Sequence, residues 1–227
     1  EVTDYIRVLD RSGYFETVTL SEDDLKRNDM YRANAQRAKA QSRFADYHDY
    51  LLSLEMTAEI GDFSPLYLQR ITQLTNKSNQ FNLTTKRYTA EQMEAVYNSD
   101  EYIRLYGKLY DKFGDNGVVA VTIGKTDSED KGRLDIELWL MSCRVLKRDM
   151  ELAMLDSLVA QAKKRGIREI YGHYYPTAKN KMVAGLYESF GFEKISQDEE
   201  GNTAWRLLVE GYEDKNTVIK VKEEHYA

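Results

Sequence analysis

Three consecutive segments with strand-like patterns most limit how this chain can fold. They are YIRLYGKLYDK, GVVAVTIGK and RLDIELWLM, beginning at residues 102, 117 and 133. In the third segment, apolar side chains occupy every second position, at Leu134, Ile136, Leu138 and Leu140. A period of two is typical of a β-strand with one buried face. Because the short links FGDN and TDSEDKG are rich in turn-forming residues, the three segments predict antiparallel hairpins.

Helical and strand-like patterns alternate in the segments that follow. DMELAMLDSLVAQAKKRG and TAKNKMVAGLYESF have helical spacing, and IREIYGHYY, between them, is strand-like. FEKISQ and TAWRLLVE predict two further strands. Upstream, LYLQRITQLTNKSNQF and TAEQMEAVYN are helical, with a capping box between Thr89 and Gln92, while FNLTTKRYT has residues that favour strands. We therefore predict an α/β (α+β) fold, a mixed sheet with flanking helices.

Residues 1–60 are predicted to form a helical arm. Ser21 is a candidate N-cap for a polar helix, and DYHDYLLSL places its tyrosines and leucines on one helical face. Everything before residue 60 has helical character, but the apolar residues are too few for a separate core. We expect this arm to be the tail of, or the linker from, an upstream domain, and residues 61–227 to form the main domain.

Composition excludes several classes of function. The chain has 227 residues, a formal charge of −6 and one cysteine. A net negative charge argues against nonspecific nucleic-acid binding, and the sequence shows neither a long apolar run for a membrane nor a secretion leader. One cysteine cannot form an internal disulfide, which favours a cytoplasmic location. The three histidines, His48, His173 and His225, are too scattered to predict a metal site.

The segment NKMVAGLYESFGF, residues 180–192, resembles the GNAT acyltransferase pattern, and the order of elements before it agrees with that fold. The resemblance implies that the third strand of the hairpin series and the next strand splay apart around an acyl thioester. It implies that Asn180 contacts the pantetheine arm, that Tyr187 is the general acid and that Glu137 is the base. Two alternatives stay open: Tyr187 is a core residue, or Asn180 merely caps its helix.

Four longer strings are similar to the C-terminal region of FkbH-like proteins, in which a haloacid-dehalogenase-type domain precedes a GNAT-like domain. They are QLTNKSNQFNLTTKRY, LYDKFGDNGVVAVTIG, LWLMSCRVLKRDME and YYPTAKNKMV. Residues 12–37 resemble the junction that follows the phosphatase-like domain. The DxDxT motif of that domain is absent from these residues, so the resemblance places phosphoryl chemistry upstream.

The FkbH-like resemblance implies that a glyceryl group is taken from an activated phosphoglycerate and delivered as a thioester to an acyl carrier protein. It makes Cys143 the candidate thiolate that holds the acyl group. The neighbouring Arg144, Lys147 and Arg148 would favour a thiolate, and His173 would be its base if the strand registers align. The alternative is that Cys143 is a small buried hydrophobe.

The sequence departs from the GNAT pattern where the fold usually binds the pyrophosphate of coenzyme A. The usual turn is R-x-x-G-x-G/A, whose glycines let backbone N–H groups approach phosphate. Lys147 and Asp149 stand in the place of the glycines, and a carboxylate there would repel a phosphate. Arg144, Lys147 and Arg148 would partly compensate, most readily for the single phosphate of a carrier-bound pantetheine.

Three functions stay open. The preferred one is an FkbH-like acyltransferase domain that handles a glyceryl-like thioester for an acyl carrier protein. The alternatives are an acetyl-CoA-dependent N-acetyltransferase and a noncatalytic GNAT-like docking module. Cys143 favours the first, and the missing glycines favour the docking module over the N-acetyltransferase.

Overall fold

The computed structural model describes residues 27–223 of the chain. The chain divides into two compact units, residues 1–43 and 44–227. In the first unit, helix α1 spans Arg27–Gln41, within the stretch predicted to be a polar helix. The predicted N-cap Ser21 and the predicted tail residue His225 lie outside the described residues. Residues 44–60, predicted to belong to the arm, lie in the second unit.

The second unit contains a nine-stranded sheet with helices on both faces. The strands are β1 Thr57–Asp62, β2 Phe81–Asn82, β3 Tyr102–Asp111, β4 Gly114–Thr126, β5 Arg133–Met141, β6 Glu169–Tyr174, β7 Glu193–Gln197, β8 Thr203–Leu208 and β9 Lys220–Glu223. The helices are α2 Tyr47–Ser53, α3 Pro65–Lys77, α4 Ala90–Tyr97, α5 Met150–Lys164 and α6 Leu186–Ser189. Two 3₁₀ turns span Cys143–Val145 and Lys181–Val183.

The sheet order is β7-β8-β6-β5-β4-β3-β1-β9, and β2 pairs separately with β5. Strands β3, β4 and β5 are successive antiparallel neighbours, as predicted, and β5 and β6 are parallel. The predicted mixed sheet with flanking helices is therefore confirmed. The prediction of helix alone before residue 60 is wrong at β1, since Ala58 and Ile60 are buried between β3 and β9. Such a short strand depends on partners distant in sequence.

The core lies on both faces of the sheet. On one face, α3 and α4 pack over the middle strands, and the buried cluster there includes Ile71, Met93, Ile123, Leu138 and Leu140. On the other face α5 packs closely, because Gly107 leaves room for two methionine side chains. A Cβ at Gly107 would lie 2.4 Å from the Met150 methyl carbon and 2.7 Å from the Met154 sulfur. The predicted capping box of Thr89 and Gln92 begins α4.

A β-bulge in β5 sets the direction of the side chains near the site. Ile123 of β4 faces Leu138, whereas the next residue, Gly124, faces Ile136. Glu137 is therefore the extra residue of the bulge. Within residues 27–223, no helix is both long and apolar enough to cross a membrane.

Candidate functional site

Strands β5 and β6 separate after a short stretch of pairing. They pair only from Arg133 to Asp135 and from Glu169 to Tyr171, so a gap opens between them toward their C-terminal ends. The splay that the sequence resemblance implied is present in the structure. Because both strands run in the same direction, the residues that follow them, including Cys143 and Asn180, belong to the same edge of the sheet.

The gap is filled by residues 81–84, which we call the inserted segment. Phe81 pairs with Met141 and Asn82 with Leu140 in antiparallel register. The Leu83 N–H donates to the Trp139 carbonyl at 3.1 Å, and on the other side the Tyr175 N–H donates to the Leu83 carbonyl at 2.9 Å. The inserted segment therefore joins the two walls of the gap by backbone hydrogen bonds.

Asn180 holds the inserted segment in place. Its buried side-chain amide donates to the carbonyls of Asn82 and Tyr175, each at 2.9 Å. Its side-chain oxygen accepts from the N–H and the hydroxyl of Thr177, at 2.7 and 2.9 Å. The side chain makes no capping bond to the 3₁₀ turn that follows, so the reading of Asn180 as a helix cap is wrong. The group expected to contact a pantetheine arm contacts the chain itself.

Tyr187 lies under the gap and is 1% exposed. Its ring occupies the space beside Gly172 of β6, where a Cβ would lie 2.3 Å from the ring, and its centroid is 6.3 Å from that of Trp139 on β5. Burial raises the pKa of the Tyr187 hydroxyl well above its usual range. Since a general acid must reach a leaving group, this placement supports the core alternative more than the acid.

The carboxylate of Glu137 on β5 already has hydrogen-bond partners within the chain. Its carboxylate accepts from the Lys86 ammonium group and, at 3.1 Å, from the Tyr88 hydroxyl. Its backbone carbonyl accepts from the Thr84 hydroxyl at 2.7 Å. Burial, with the charge of Glu137, raises the pKa of Tyr88 well above its usual range. The candidate base is thus tied to the loop that carries the inserted segment.

His173 is not close to Cys143. His173 Nε2 lies 3.2 Å from Asp135 Oδ1, and Arg133 donates to the same carboxylate at 2.8 and 2.7 Å. Burial opposes ionisation of Asp135, but these hydrogen bonds outweigh it and hold the pKa of the carboxyl below its usual range. Asp135 precedes Cys143 by eight residues, a distance of roughly 25 Å at the rise of a strand. The registers do not bring the predicted base to the thiol.

Cys143 is exposed on the 3₁₀ turn that follows β5. The alternative that it is a small buried hydrophobe is therefore wrong. Arg144 follows it, and both the backbone N–H and the guanidinium of Arg144 approach the Ser142 hydroxyl, at 3.4 and 3.3 Å. Arg148 is buried and bonds to Asp111 at 3.1 Å, so it has a structural role. Lys147 is exposed, and with Arg144 it supplies positive charge beside the turn.

Lys147 and Asp149 adopt the backbone conformation that glycine favours. Their φ angles are 63° and 60°, in the left-handed region where a side chain costs about 1–2 kcal/mol. Two positions where the motif has glycine thus adopt left-handed backbone conformations with other residues. The Tyr47 hydroxyl of α2 donates to the Lys147 carbonyl at 2.6 Å, and this bond links the turn to α2.

Two carboxylates stand at the start of α5, beside this turn. Burial raises the pKa of Glu151 to about 7, and one of its carboxylate oxygens is buried without a hydrogen-bond partner among the described residues. Burial also raises the pKa of Asp149, against the lowering effect of His48. Acidic side chains therefore occupy the helix end at which a phosphate would otherwise bind.

Sequence reasoning missed Asp135 and Asn82. Asp135 alternates with apolar neighbours in β5, a pattern shared by any solvated strand face. Asn82 lies in FNLTTKRYT, whose strand preference was the one available signal, but nothing in the sequence indicated that its partner would be β5. Such pairing depends on the gap, which exists only in the folded sheet.

Comparison with known proteins gives a fold but no sequence family. No family model matches the chain, and no curated protein matches it. The ribosomal-protein-S18-alanine N-acetyltransferase from Escherichia coli is similar in structure, with a TM-score of 0.51 and 13% identity over 71% of this chain and 99% of that one. An acetyltransferase from Thermus thermophilus has a TM-score of 0.51 and 13% identity over 67% and 97%.

An acetyltransferase of the GNAT family from Streptococcus pneumoniae is similar at a TM-score of 0.50 and 16% identity, over 66% of this chain and 99% of that one. Identities this low show the fold alone. The second unit therefore has the fold of GNAT acetyltransferases.

Coenzyme A is the cofactor that this fold implies, and the residues present do not fit it. The inserted segment occupies the gap between β5 and β6. Moving it would expose Phe81 and Leu83, at about 1.5–3 kcal/mol each, and break several hydrogen bonds worth about 1 kcal/mol each. That cost is comparable with the roughly 8 kcal/mol that a micromolar ligand gains on binding. Asp149 and Glu151 oppose phosphate at the helix end.

Proposed function

We propose that the chain is an acyltransferase-type domain that accepts an acyl group on the thiol of Cys143 and passes it to the pantetheine thiol of an acyl carrier protein. The observation that carries the proposal is the position of Cys143, exposed at the end of β5 while the interior of the adjoining gap is filled. Acyl chemistry would therefore take place at the outer edge of the sheet.

The chemistry needs an activated acyl donor, and an acyl phosphate meets that need. The Cys143 thiol gives its proton to solvent, and the thiolate attacks the carbonyl carbon. A carbon–sulfur bond forms, the carbon–oxygen bond to phosphate breaks, and phosphate leaves with the electron pair. The carrier's thiolate then attacks the thioester, a new thioester forms on the carrier, and Cys143 is regenerated. Arg144 and Lys147 attract the anionic donor by their positive charge.

The similarity to FkbH-like proteins supports a glyceryl-like acyl group and an upstream haloacid-dehalogenase-type domain as the source of the donor. The junction string at residues 12–37 and the strings around Cys143 and Asn180 carry this part of the proposal. In that arrangement the second unit would receive the acyl unit after phosphoryl chemistry has been completed elsewhere in the same protein.

A noncatalytic docking module is the second candidate, and the filled gap favours it. The similar solved structures would instead support an acetyl-CoA-dependent N-acetyltransferase. The inserted segment and the carboxylates of Asp149 and Glu151 count against that third function, because both oppose binding of coenzyme A.

Intact-mass measurement tests the proposal. The chain is incubated with an acyl phosphate or an acyl thioester, and a hydroxylamine-sensitive adduct is expected on the wild type. Because the chain has one cysteine, Cys143→Ser should abolish the adduct. Addition of a holo acyl carrier protein should then move the acyl group to the carrier. An absent adduct, or an equal adduct on Cys143→Ser, contradicts the covalent role and favours the docking module.

A further inference from the structure

The inserted segment meets the gap as an extended ligand would. Its Leu83 N–H and carbonyl bond to the Trp139 carbonyl of β5 and the Tyr175 N–H on the β6 side, at 3.1 and 2.9 Å. Its Asn82 carbonyl accepts from the Asn180 side-chain amide at 2.9 Å. The backbone groups that line the gap are thus satisfied by amide groups of the chain itself. A ligand that bound here would need amides at the same positions.

The segment is seated deeply and held at both ends. Asn82 and Leu83 are fully buried at 0% exposure. The Asn82 side chain donates to the Ser78 carbonyl at 3.3 Å and accepts from the Thr85 N–H at 2.8 Å. Thr85 itself has a φ of 54°, a costly conformation for a β-branched residue that persists only when its surroundings enforce it. These contacts describe a closed site rather than a loosely covered one.

Some buried polar side chains near the gap lack hydrogen-bond partners within residues 27–223, unlike the backbone groups that pair with the inserted segment. Trp139 Nε1 and Thr122 Oγ1 are buried without hydrogen-bond partners among the described residues. Thr122 faces Trp139 across β4 and β5, and the Trp139 ring lies 6.3 Å from that of Tyr187. Buried polar groups nearly always have partners. Trp139 Nε1 is thus a buried donor on the β5 wall of the gap that the inserted segment leaves without a partner.

The second feature of the site is the backbone of the turn that precedes α5. Lys147 and Asp149 have left-handed φ angles of 63° and 60°, a backbone conformation that occurs in anion-binding turns. The carboxyl groups of Asp149, at the N-cap of α5, and of Glu151, in its first turn, oppose an anion there. Both the gap and the turn are therefore present, and this chain's own residues block each of them.

We propose that residues 81–84 are a built-in substitute for an extended, amide-bearing ligand, and that they close the gap along β5 to coenzyme A and to a pantetheine arm. Withdrawing the segment, together with glycines at positions 147 and 149, should restore a coenzyme A site. This closure does not depend on whether Cys143 carries an acyl group.

Calorimetry with coenzyme A as the probe tests the closure on four proteins. They are the wild type, Lys147→Gly/Asp149→Gly, Asn82→Gly/Leu83→Gly, and the combination of all four substitutions. We expect no binding at millimolar coenzyme A for the wild type or for the first pair, because the gap is still filled. We expect the combination to bind in the micromolar range and the segment pair alone to bind at least tenfold more weakly. Micromolar binding by the wild type or by the first pair overturns the proposal, and so does a folded combination that does not bind.

Hydrogen exchange on the wild type keeps the test decisive if the segment variants fail to fold. The amide protons of Leu83 and Tyr175 should exchange as slowly as those in the middle of β5, and coenzyme A at millimolar concentration should not change them. Fast exchange at Leu83, or exchange altered by coenzyme A, overturns the proposal. The acyl phosphate adduct on Cys143 is a separate readout, so failure of the acyl-transfer function and failure of the closure are distinguishable.

Discussion

The side-chain amide of Asn180 donates to the backbone carbonyl of Asn82 at 2.9 Å, across 98 positions of the chain. The same amide also donates to the Tyr175 carbonyl. The loop after β6 is thereby fixed to the inserted segment, and through it to β5. A single buried side chain thus supports the closure of the gap.

Replacing Asn180 by alanine should destabilise the protein. The substitution leaves the Asn82 and Tyr175 carbonyls without this donor, and a buried unsatisfied group costs about 1–3 kcal/mol. Urea unfolding should show a loss of about 2–4 kcal/mol. Asn98→Ala, at an exposed position after α4, is the matched control and should stay within about 0.5 kcal/mol of the wild type. Equal stability of Asn180→Ala and Asn98→Ala would show that the bond contributes nothing.

Tyr187→Phe separates the two roles considered for this tyrosine. Because the hydroxyl is buried and forms no hydrogen bond of normal geometry among the described residues, its removal should change stability by less than about 1 kcal/mol. Acylation of Cys143 and transfer to a carrier should be unaffected. Tyr187→Ala should cost about 3–5 kcal/mol through the cavity it leaves. A large loss of transfer in Tyr187→Phe at unchanged stability would restore the general-acid role.

Gly172→Ala should be costly because of the same tyrosine. The added methyl group would lie 2.3 Å from the Tyr187 ring, and overpacking of this kind costs about 1–3 kcal/mol. Gly185→Ala is the matched control, since nothing lies within 4 Å of its Cβ position. Thermal unfolding should show the loss for Gly172→Ala alone. In a Tyr187→Leu background the cost of Gly172→Ala should shrink, because residues in contact are not additive.

Glu151 should make stability fall as the pH rises through neutrality. Burial raises the pKa of this carboxyl from 4.5 to about 7 in the folded protein. Between these values the folded state holds a proton that the unfolded state has lost, so the free energy of unfolding decreases with rising pH, and the full cost is present above pH 7. Glu151→Gln should therefore stabilise the protein by about 3 kcal/mol at pH 8, the value of such a shift.

Urea unfolding of Glu151→Gln and the wild type, carried out from pH 5 to pH 8, measures this effect. The two should have similar stabilities near pH 5 and diverge as the pH rises. Glu94→Gln, on the exposed side of α4, serves as the control and should follow the wild type. Parallel curves for Glu151→Gln and the wild type would show that burial does not perturb this carboxyl.

Local sequence patterns predict those strands and helices whose buried face is determined by residues close together in the sequence. The alternation of Leu134 and Ile136 in β5, and the capping box of Thr89 and Gln92, needed no knowledge of distant residues. The GNAT-like order of elements followed from the same patterns and is confirmed by the fold. The residues directly before and after the bulge at Glu137 are both apolar, as in the rest of the predicted strand.

The candidate site was less predictable because it depends on register and on distant pairing. His173 lies on the expected strand, but β5 and β6 pair only at their beginnings, which puts His173 beside Asp135. β2 is two residues long, too short to show a period. Its position is decided by the open edge of β5, and the sequence around Asn82 does not specify that edge.

The position of the inserted segment has a consequence for synthesis on the ribosome. Phe81 and Leu83 emerge early, but one wall of their site contains Tyr175 and Asn180, which are made much later. These two apolar side chains therefore stay unburied in the nascent chain until nearly the whole domain has appeared, a state that favours aggregation. The sheet must therefore complete its folding around the segment. Until the later strands have been translated, the first half of the domain stays exposed to proteases and depends on chaperones.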